Sequence, residues 1–206
     1  MSNTLRFYTN PMSRGRIARW MLEEVGAPYE THLLDYGTSM KAPEYLAINP
    51  MGKVPVIQHG NTLVTECAAI CAYLAEAFPE AGLLPAPEAR GDYYRWMFFA
   101  AGPVEAAVTN RSLGVVVPAE KSGMVGYGSF ETVMDALELA VKGKRYVAGE
   151  RFSAADVYFG SQIGWGLQFG SIDKRPAFEA YWAGLKDRPA AVRARQIDDA
   201  LIPKKS

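Results

Sequence analysis

The order of local patterns between Leu5 and Phe78 constrains this chain more than any other feature. Leu5 to Tyr8 reads as a short strand, Thr9-Asn10-Pro11 as a turn, and Ile17, Trp20, Met21 and Val25 fall on one helical face. Gly26 is placed to close that helix and Pro28 prevents its continuation. Tyr29 to Leu34 reads as a second strand. A strand, helix and strand within about 30 residues form a right-handed crossover with parallel strands. Pro43 to Ile48 reads as a short irregular helix, and Asn49 to Ile57 as a turn entering an apolar strand interrupted by Pro55. His59-Gly60-Asn61 is a tight hairpin signal, with Thr62 to Thr65 as the returning strand. A turn that short makes its two strands antiparallel, so the four-stranded sheet must be mixed. A helix with Ile70, Tyr73, Leu74, Ala77 and Phe78 on one face then runs to Pro79.

Beyond this point the character of the sequence changes. Pro79 to Pro87 holds three prolines and Gly82 in nine residues, a linker composition. Residues 88 to 197 show long helical stretches and no alternating strand. Ser153-Ala154-Ala155-Asp156 is a capping-box variant, with Phe152 and Val157 in the flanking staple positions. The helix it starts is rich in small residues, as close packing inside a helical bundle requires. The expected organisation is an α/β domain over 1–80, a linker over 81–87 and an all-helical domain over 88–206.

Charge and cysteine usage narrow the class of partner. Lys plus Arg number 22 and Asp plus Glu number 22, which leaves no basic footprint for nucleic acid or an anionic membrane. The longest uncharged run, Val157 to Ile172, holds four glycines and two glutamines, and is too short and too polar to span a bilayer of about 20 apolar residues. Cys67 and Cys71 do not make a disulfide framework, and with both histidines remote in sequence no metal site is expected. The first ten residues lack the basic and apolar regions of a secretory signal, so the expected compartment is the cytoplasm.

Two places carry candidate chemistry. Pro55 interrupts a good strand and removes a ladder donor. A cis Val54-Pro55 bond would accommodate it and turn the Val54 N–H and C=O outward, ready to pair with an extended peptide; a plain edge-strand proline is the alternative. Glu66-Cys67 stands where a strand meets a helix. Glu66 could simply cap that helix, or it could pair with a ligand ammonium while free N–H groups of the first turn hold a carboxylate.

Four motifs in this order and spacing resemble the cytosolic glutathione S-transferases: Tyr8-Thr9-Asn10-Pro11-Met12-Ser13-Arg14, Asn-Pro-Met-Gly-Lys-Val-Pro-Val at 49–56, Thr65-Glu66-Cys67-Ala68-Ala69-Ile70, and Phe152-Ser153-Ala154-Ala155-Asp156. The first helix is most similar to bacterial and fungal serine-type members. The resemblance implies a thioredoxin-like N-terminal domain that binds glutathione as co-substrate, a helical domain that contributes the acceptor site, and a homodimer. It places a cis bond at Pro55, contacts to the cysteinyl unit at Val54, the glycine carboxylate near Lys53, and the γ-glutamyl end at Glu66 and Cys67. Ser153 and Asp156 correspond to a folding cap. The chain departs from the family at Cys67, where a serine hydroxyl is usual and a thiol is a weaker donor.

The implied reaction is attack of the glutathione thiolate on a hydrophobic electrophile. A free thiol has a pKa of about 8.5, and a hydrogen bond to the charged sulfur is worth about 1.5–3 kcal/mol, or one to two pKa units. One hydroxyl is therefore enough to make the bound thiol mostly thiolate. Ser13 is the first candidate donor, with helix capping as its alternative role; Tyr8 and Asn10 are the other candidates. Met12, Trp96 and Trp165 are candidates for the apolar acceptor pocket. Two further readings stand beside this one. A glutathione-dependent peroxidase or thiol–disulfide oxidoreductase would depend on Asn10 rather than Ser13, and a non-catalytic binding protein would use the same fold.

Overall fold

The computed structural model describes residues 4–202; residues 1–3 and 203–206, which the expected domain ranges include, lie outside the described residues. The chain divides into two compact units, residues 1–84 with 188–206, and residues 85–187.

The first unit is built on strands β1 (Leu5–Thr9), β2 (Tyr29–Leu33), β3 (Val56–His59) and β4 (Thr62–Val64), in the order β2-β1-β3-β4. β2 runs parallel to β1, whereas β3 and β4 run antiparallel to their neighbours, as the crossover and the tight hairpin require. This is the mixed sheet of a thioredoxin-like domain. The burial of β1 alternates: Leu5, Phe7 and Thr9 are buried while Arg6 is exposed and Tyr8 half-buried, so the strand has two differently covered faces.

Helix α1 (Gly15–Val25) buries Ile17, Ala18, Trp20, Met21 and Leu22. It ends at Gly26, whose left-handed φ of 69° lets its N–H reach the Leu22 carbonyl. Helix α2 (Pro43–Leu46) follows a short 3-10 turn at Ser39–Lys41, and α3 (Cys67–Ala77) packs beside α1. On the other side of the sheet Met40, Tyr45 and Val56 form a small core, against which Tyr8, Leu34, Ile48 and Val54 pack.

The second unit contains α4 (Arg90–Phe99), α5 (Glu105–Ser112), α6 (Phe130–Val141), α7 (Ala154–Phe169) and α8 (Pro176–Ala183). A π-helical turn at Ala100–Val104 joins α4 to α5 and contains Pro103, which cannot donate a helical hydrogen bond. Helix α7 is almost wholly buried, and its small residues are what allow it. A Cβ on Gly164 would fall 2.6 Å from the Trp182 ring, and one on Gly160 2.6 Å from Leu185. The Ser153–Asp156 box is formed, but its carboxylate does more than close a helix end. It accepts from the Ser153 N–H at 2.9 Å and hydroxyl at 3.0 Å, from the Val147 N–H at 2.7 Å and from the Tyr181 hydroxyl at 2.7 Å. Burial nevertheless raises the Asp156 carboxyl above its ordinary range, against the pull of these donors.

One expectation needs correction. The expected helical domain runs over 88–206, yet Arg188 onward groups with the first unit. Helix α9 (Pro189–Ala200) lies along α1, held by Arg19, whose Nε donates to Asp198 at 2.8 Å with both side chains only 1% exposed. Removing one member of a buried pair leaves the other charge uncompensated, at a cost of about 3–5 kcal/mol. Arg19 is further enclosed by the Phe7 ring at 5.1 Å and donates to the Tyr29 hydroxyl at 3.1 Å. Nothing in the local pattern of residues 189–200 signals a partner so far back in the chain.

Candidate functional site

Three segments converge where β1 ends. Antiparallel pairing sets Tyr8 opposite Val56, so the end of β1 and the start of β3 lie at one end of the sheet. The Val54–Pro55 peptide just before β3 is cis, and Pro55 is buried. The start of α3 is brought to the same place by Cys67, whose Sγ donates to the Arg14 carbonyl at 3.6 Å. Residues 14 and 67 thus come into contact, and Val54-Pro55 enters β3 at the end of the sheet where β1 leads into the same turn, although no local pattern joins these segments.

The turn from Asn10 to Arg14 is braced from within. The Asn10 amide donates to the Leu34 carbonyl at 2.8 Å, and its oxygen accepts from the Met12 N–H at 2.9 Å. One end of this side chain ties the turn to the residue after β2, and the other braces the turn from within. The Ser13 hydroxyl accepts from the Gly15 N–H at 2.9 Å and donates to the Asn10 carbonyl at 2.7 Å. The oxygen thus holds the first N–H of α1, and its single proton is engaged within the chain. A hydrogen bond to a neutral carbonyl is worth about 0.5–1.5 kcal/mol, whereas one to a charged acceptor is worth about 1.5–3 kcal/mol. A thiolate beside Ser13 would win that proton from the carbonyl, while the Gly15 N–H continued to hold the oxygen in place.

Tyr8 packs on the same small core as Val54. Its ring stacks on His32 with centroids 4.9 Å apart and meets Tyr45 at 5.8 Å, within the small core around Met40 and Val56. Lys53 is exposed, and its carbonyl accepts from the Tyr45 hydroxyl at 2.6 Å and the Asn49 amide at 2.8 Å. These two donors pin the segment that leads into Val54. Burial pushes the Tyr45 hydroxyl up to about 12, so it stays a donor at any working pH.

Glu66 holds a backbone feature that the sequence reading missed. It precedes α3 with φ 64° and ψ 118°, the one positive φ at a non-glycine residue among the described residues. Its side chain is exposed and makes no cap hydrogen bond, so the simple capping role is not used. Such a conformation costs on the order of 1–3 kcal/mol and is kept where the surroundings over-determine it. No residue-type signal marks it, because glutamate is not a turn former. At Cys71 the hydrogen bond with Cys67 and then full burial raise the thiol well above its ordinary value, which makes it an inert packing group.

Of the acceptor-pocket candidates, Met12 is 72% exposed beside Ser13. Trp96 is buried in the second unit, edge-on to Phe99 at 5.7 Å and to Phe159 at 6.1 Å, where it serves as core. Trp165 is half-buried on α7.

Comparison with known proteins bears on this arrangement. Residues 12–77 match the family described as glutathione S-transferase, N-terminal domain. Glutathione S-transferase 1 of Zea mays is 29% identical over 192 residues, which cover 85% of this chain and 88% of the maize protein. A crystal structure of a glutathione transferase from Methylococcus capsulatus superposes with a TM-score of 0.77 at 27% identity, covering 97% of this chain and 100% of that one. A glutathione transferase homologue from Sulfitobacter, solved with bound glutathione, gives a TM-score of 0.75 at 26% identity and covers 98% and 100%. The chain is thus similar to glutathione S-transferases over nearly its whole length, and over residues 12–77 to their N-terminal domain.

Proposed function

We propose that this chain is a glutathione transferase. It holds glutathione along the edge formed by Lys53, Val54, Pro55, Glu66 and Cys67, and presents the sulfur to Ser13 for attack on hydrophobic electrophilic small molecules. The observation that carries this reading is the meeting of the α3 start with the α1 start through Cys67 and Arg14, which brings the segment of an exposed carboxylate to that of an anchored hydroxyl at one end of the sheet. The Sulfitobacter relative was crystallised with glutathione, which agrees with glutathione as co-substrate.

Ser13 is the preferred donor because its oxygen is anchored at the helix start, whereas the Tyr8 ring packs on His32 and the Asn10 amide is occupied at both ends. That preference supports the serine-type branch. The Glu66 carboxylate would meet the ammonium of the γ-glutamyl end, and the first-turn N–H groups of α3 its carboxylate. The Cys67 thiol already donates to the Arg14 carbonyl, so the ligand would gain a backbone rather than a side-chain donor there. We take the protein as a detoxifying, cytoplasmic homodimer, with the exposed stacked rings of Tyr94 and Phe98 on α4 as an apolar surface for a second copy.

Glutathione titration followed by the ultraviolet absorbance of the thiolate tests the reading. A bound thiol with an apparent pKa at least one unit below the free value of about 8.5 is expected. A bound thiol that titrates like the free one would sink thiol activation, and no saturable binding would sink the glutathione site itself.

A further inference from the structure

The C-terminal helix touches the site turn as well as α1. Four ion pairs join α9 and its entry to α1 in antiparallel order: Arg16 with Asp199, Arg19 with Asp198, Glu23 with Arg193 and Glu24 with Arg188. Three of them are ordinary helix-to-helix contacts. The one nearest the start of α1 differs, because the Arg16 guanidinium that meets Asp199 also donates from Nη1 to the Pro11 carbonyl at 3.4 Å. Pro11 lies between Asn10 and Ser13 in the braced turn. Asp199 thus holds Arg16, and Arg16 holds the turn that presents the Ser13 hydroxyl.

Resting on the Ser13 reading above, we propose that α9 is a positioning element for thiol activation. Asp199 and Arg16 are positioning residues: neither touches the sulfur, and both fix where the Ser13 oxygen stands relative to it. The buried Arg19–Asp198 pair anchors α9 so that Asp199 stays in reach, and the Arg188–Glu24 fork, at 2.7 and 2.8 Å, anchors the other end. An exposed ion pair contributes little to stability. Its value here is geometric, since a donor displaced by about 1 Å can lose up to about a hundredfold in rate.

The test compares wild type, Arg16→Met, Arg16→Lys, Asp199→Asn and Arg193→Met. Each is read by the pKa of bound glutathione, by kcat and KM with a chromogenic aryl halide, and by Tm. Arg16→Met keeps the apolar stem and loses both contacts; it should raise the bound thiol pKa by about half to one unit and lower kcat at pH 6.5 by about three- to tenfold, with the KM for glutathione within about twofold. Asp199→Asn should move the same quantities in the same direction by less, and Arg16→Lys should recover part of the loss. Arg193→Met loosens the far end of the clasp and should change Tm without changing the thiol pKa. A wild-type thiol pKa in both Arg16→Met and Asp199→Asn overturns the proposal, as does an equal shift in Arg193→Met, which would mean general loosening. If the wild-type protein does not lower the thiol pKa at all, the Ser13 reading fails first and this proposal falls with it, an outcome visible before any variant is made.

Discussion

The Sγ of Cys67 lies 3.6 Å from the carbonyl oxygen of Arg14, so the first turn of α3 rests on the turn that opens α1. This contact registers the proposed γ-glutamyl end of the site against the proposed thiol end. Replacing Cys67 with Ser substitutes a stronger hydrogen-bond donor in nearly the same volume. On its shorter Cβ bond the hydroxyl would fall short of the Arg14 carbonyl and turn to the ligand carboxylate. A fall of about two- to tenfold in the glutathione Kd, measured by calorimetry, is therefore expected, as for a gain of roughly 0.5–1.5 kcal/mol. An unchanged or weaker affinity would mean that position 67 acts through its backbone alone.

Ser13→Ala removes the proposed sulfur donor and one helix-capping oxygen together. The bound thiol pKa should rise by about one to two units and kcat should fall by about ten- to a hundredfold at pH 6.5. Stability should fall by only about 1 kcal/mol, the ordinary value of a cap. An equal thiol pKa in both proteins would move the activating role to Tyr8 or Asn10.

The backbone of Glu66 sets stability against binding. Glu66→Gly should stabilise the fold by about 1 kcal/mol in urea unfolding, because glycine adopts φ 64° without penalty. The same change should weaken glutathione binding by at least tenfold, through loss of the carboxylate that would meet the ammonium. Both effects together are the signature of strain kept for a site; loss of stability would show that the Glu66 side chain has a structural role.

Gly15 opens α1 directly over a strand residue, and a Cβ there would fall 1.9 Å from the Thr9 Oγ1. Gly15→Ala must move β1 or the start of the helix, and should cost about 1–3 kcal/mol in urea unfolding. It should also raise the bound thiol pKa, because the Gly15 N–H holds the Ser13 oxygen. A neutral Gly15→Ala would show that the start of α1 yields freely.

Asp156 makes the stability of the second unit depend on pH with a definite sign. Its folded carboxyl lies above its ordinary 3.8, burial being the main cause, so the folded chain keeps a proton that the unfolded chain has lost. That contribution is complete below about 3.8 and is lost as pH rises through the folded value. Asp156→Asn loses acceptor capacity at every pH, by about 1–3 kcal/mol, but does not titrate. The stability gap between wild type and variant, followed by urea unfolding, should therefore narrow as pH rises from about 4. A gap that widens would mean that the four donors outweigh burial.

The architecture was legible because its signals are local. The apolar spacing of Ile17, Trp20 and Met21, the stop at Gly26 and the His59-Gly60-Asn61 turn each act over a few residues, and together they dictate a mixed sheet with helices against it. The same holds for Ser153 and Asp156, three positions apart, but not for Tyr181, which lies 25 positions from Asp156 and completes the site of its carboxylate. The proposed site followed the same division. Ser13, Val54-Pro55 and Glu66-Cys67 could be picked out by type and position. The engaged proton of Ser13 and the backbone turn at Glu66 could not, because each is set by the surrounding fold.

By itself, then, the sequence determined the element order and strand directions of the first 80 residues and the helix start at Ser153, since backbone sterics and apolar periodicity act on neighbours along the chain. Only the tertiary structure decided that Cys67 meets Arg14 across 53 positions and that Arg19 meets Asp198 across 179. Such pairs form when packed elements bring a donor and an acceptor together in a dry interior, and nothing in the local residue pattern records which distant partner will arrive.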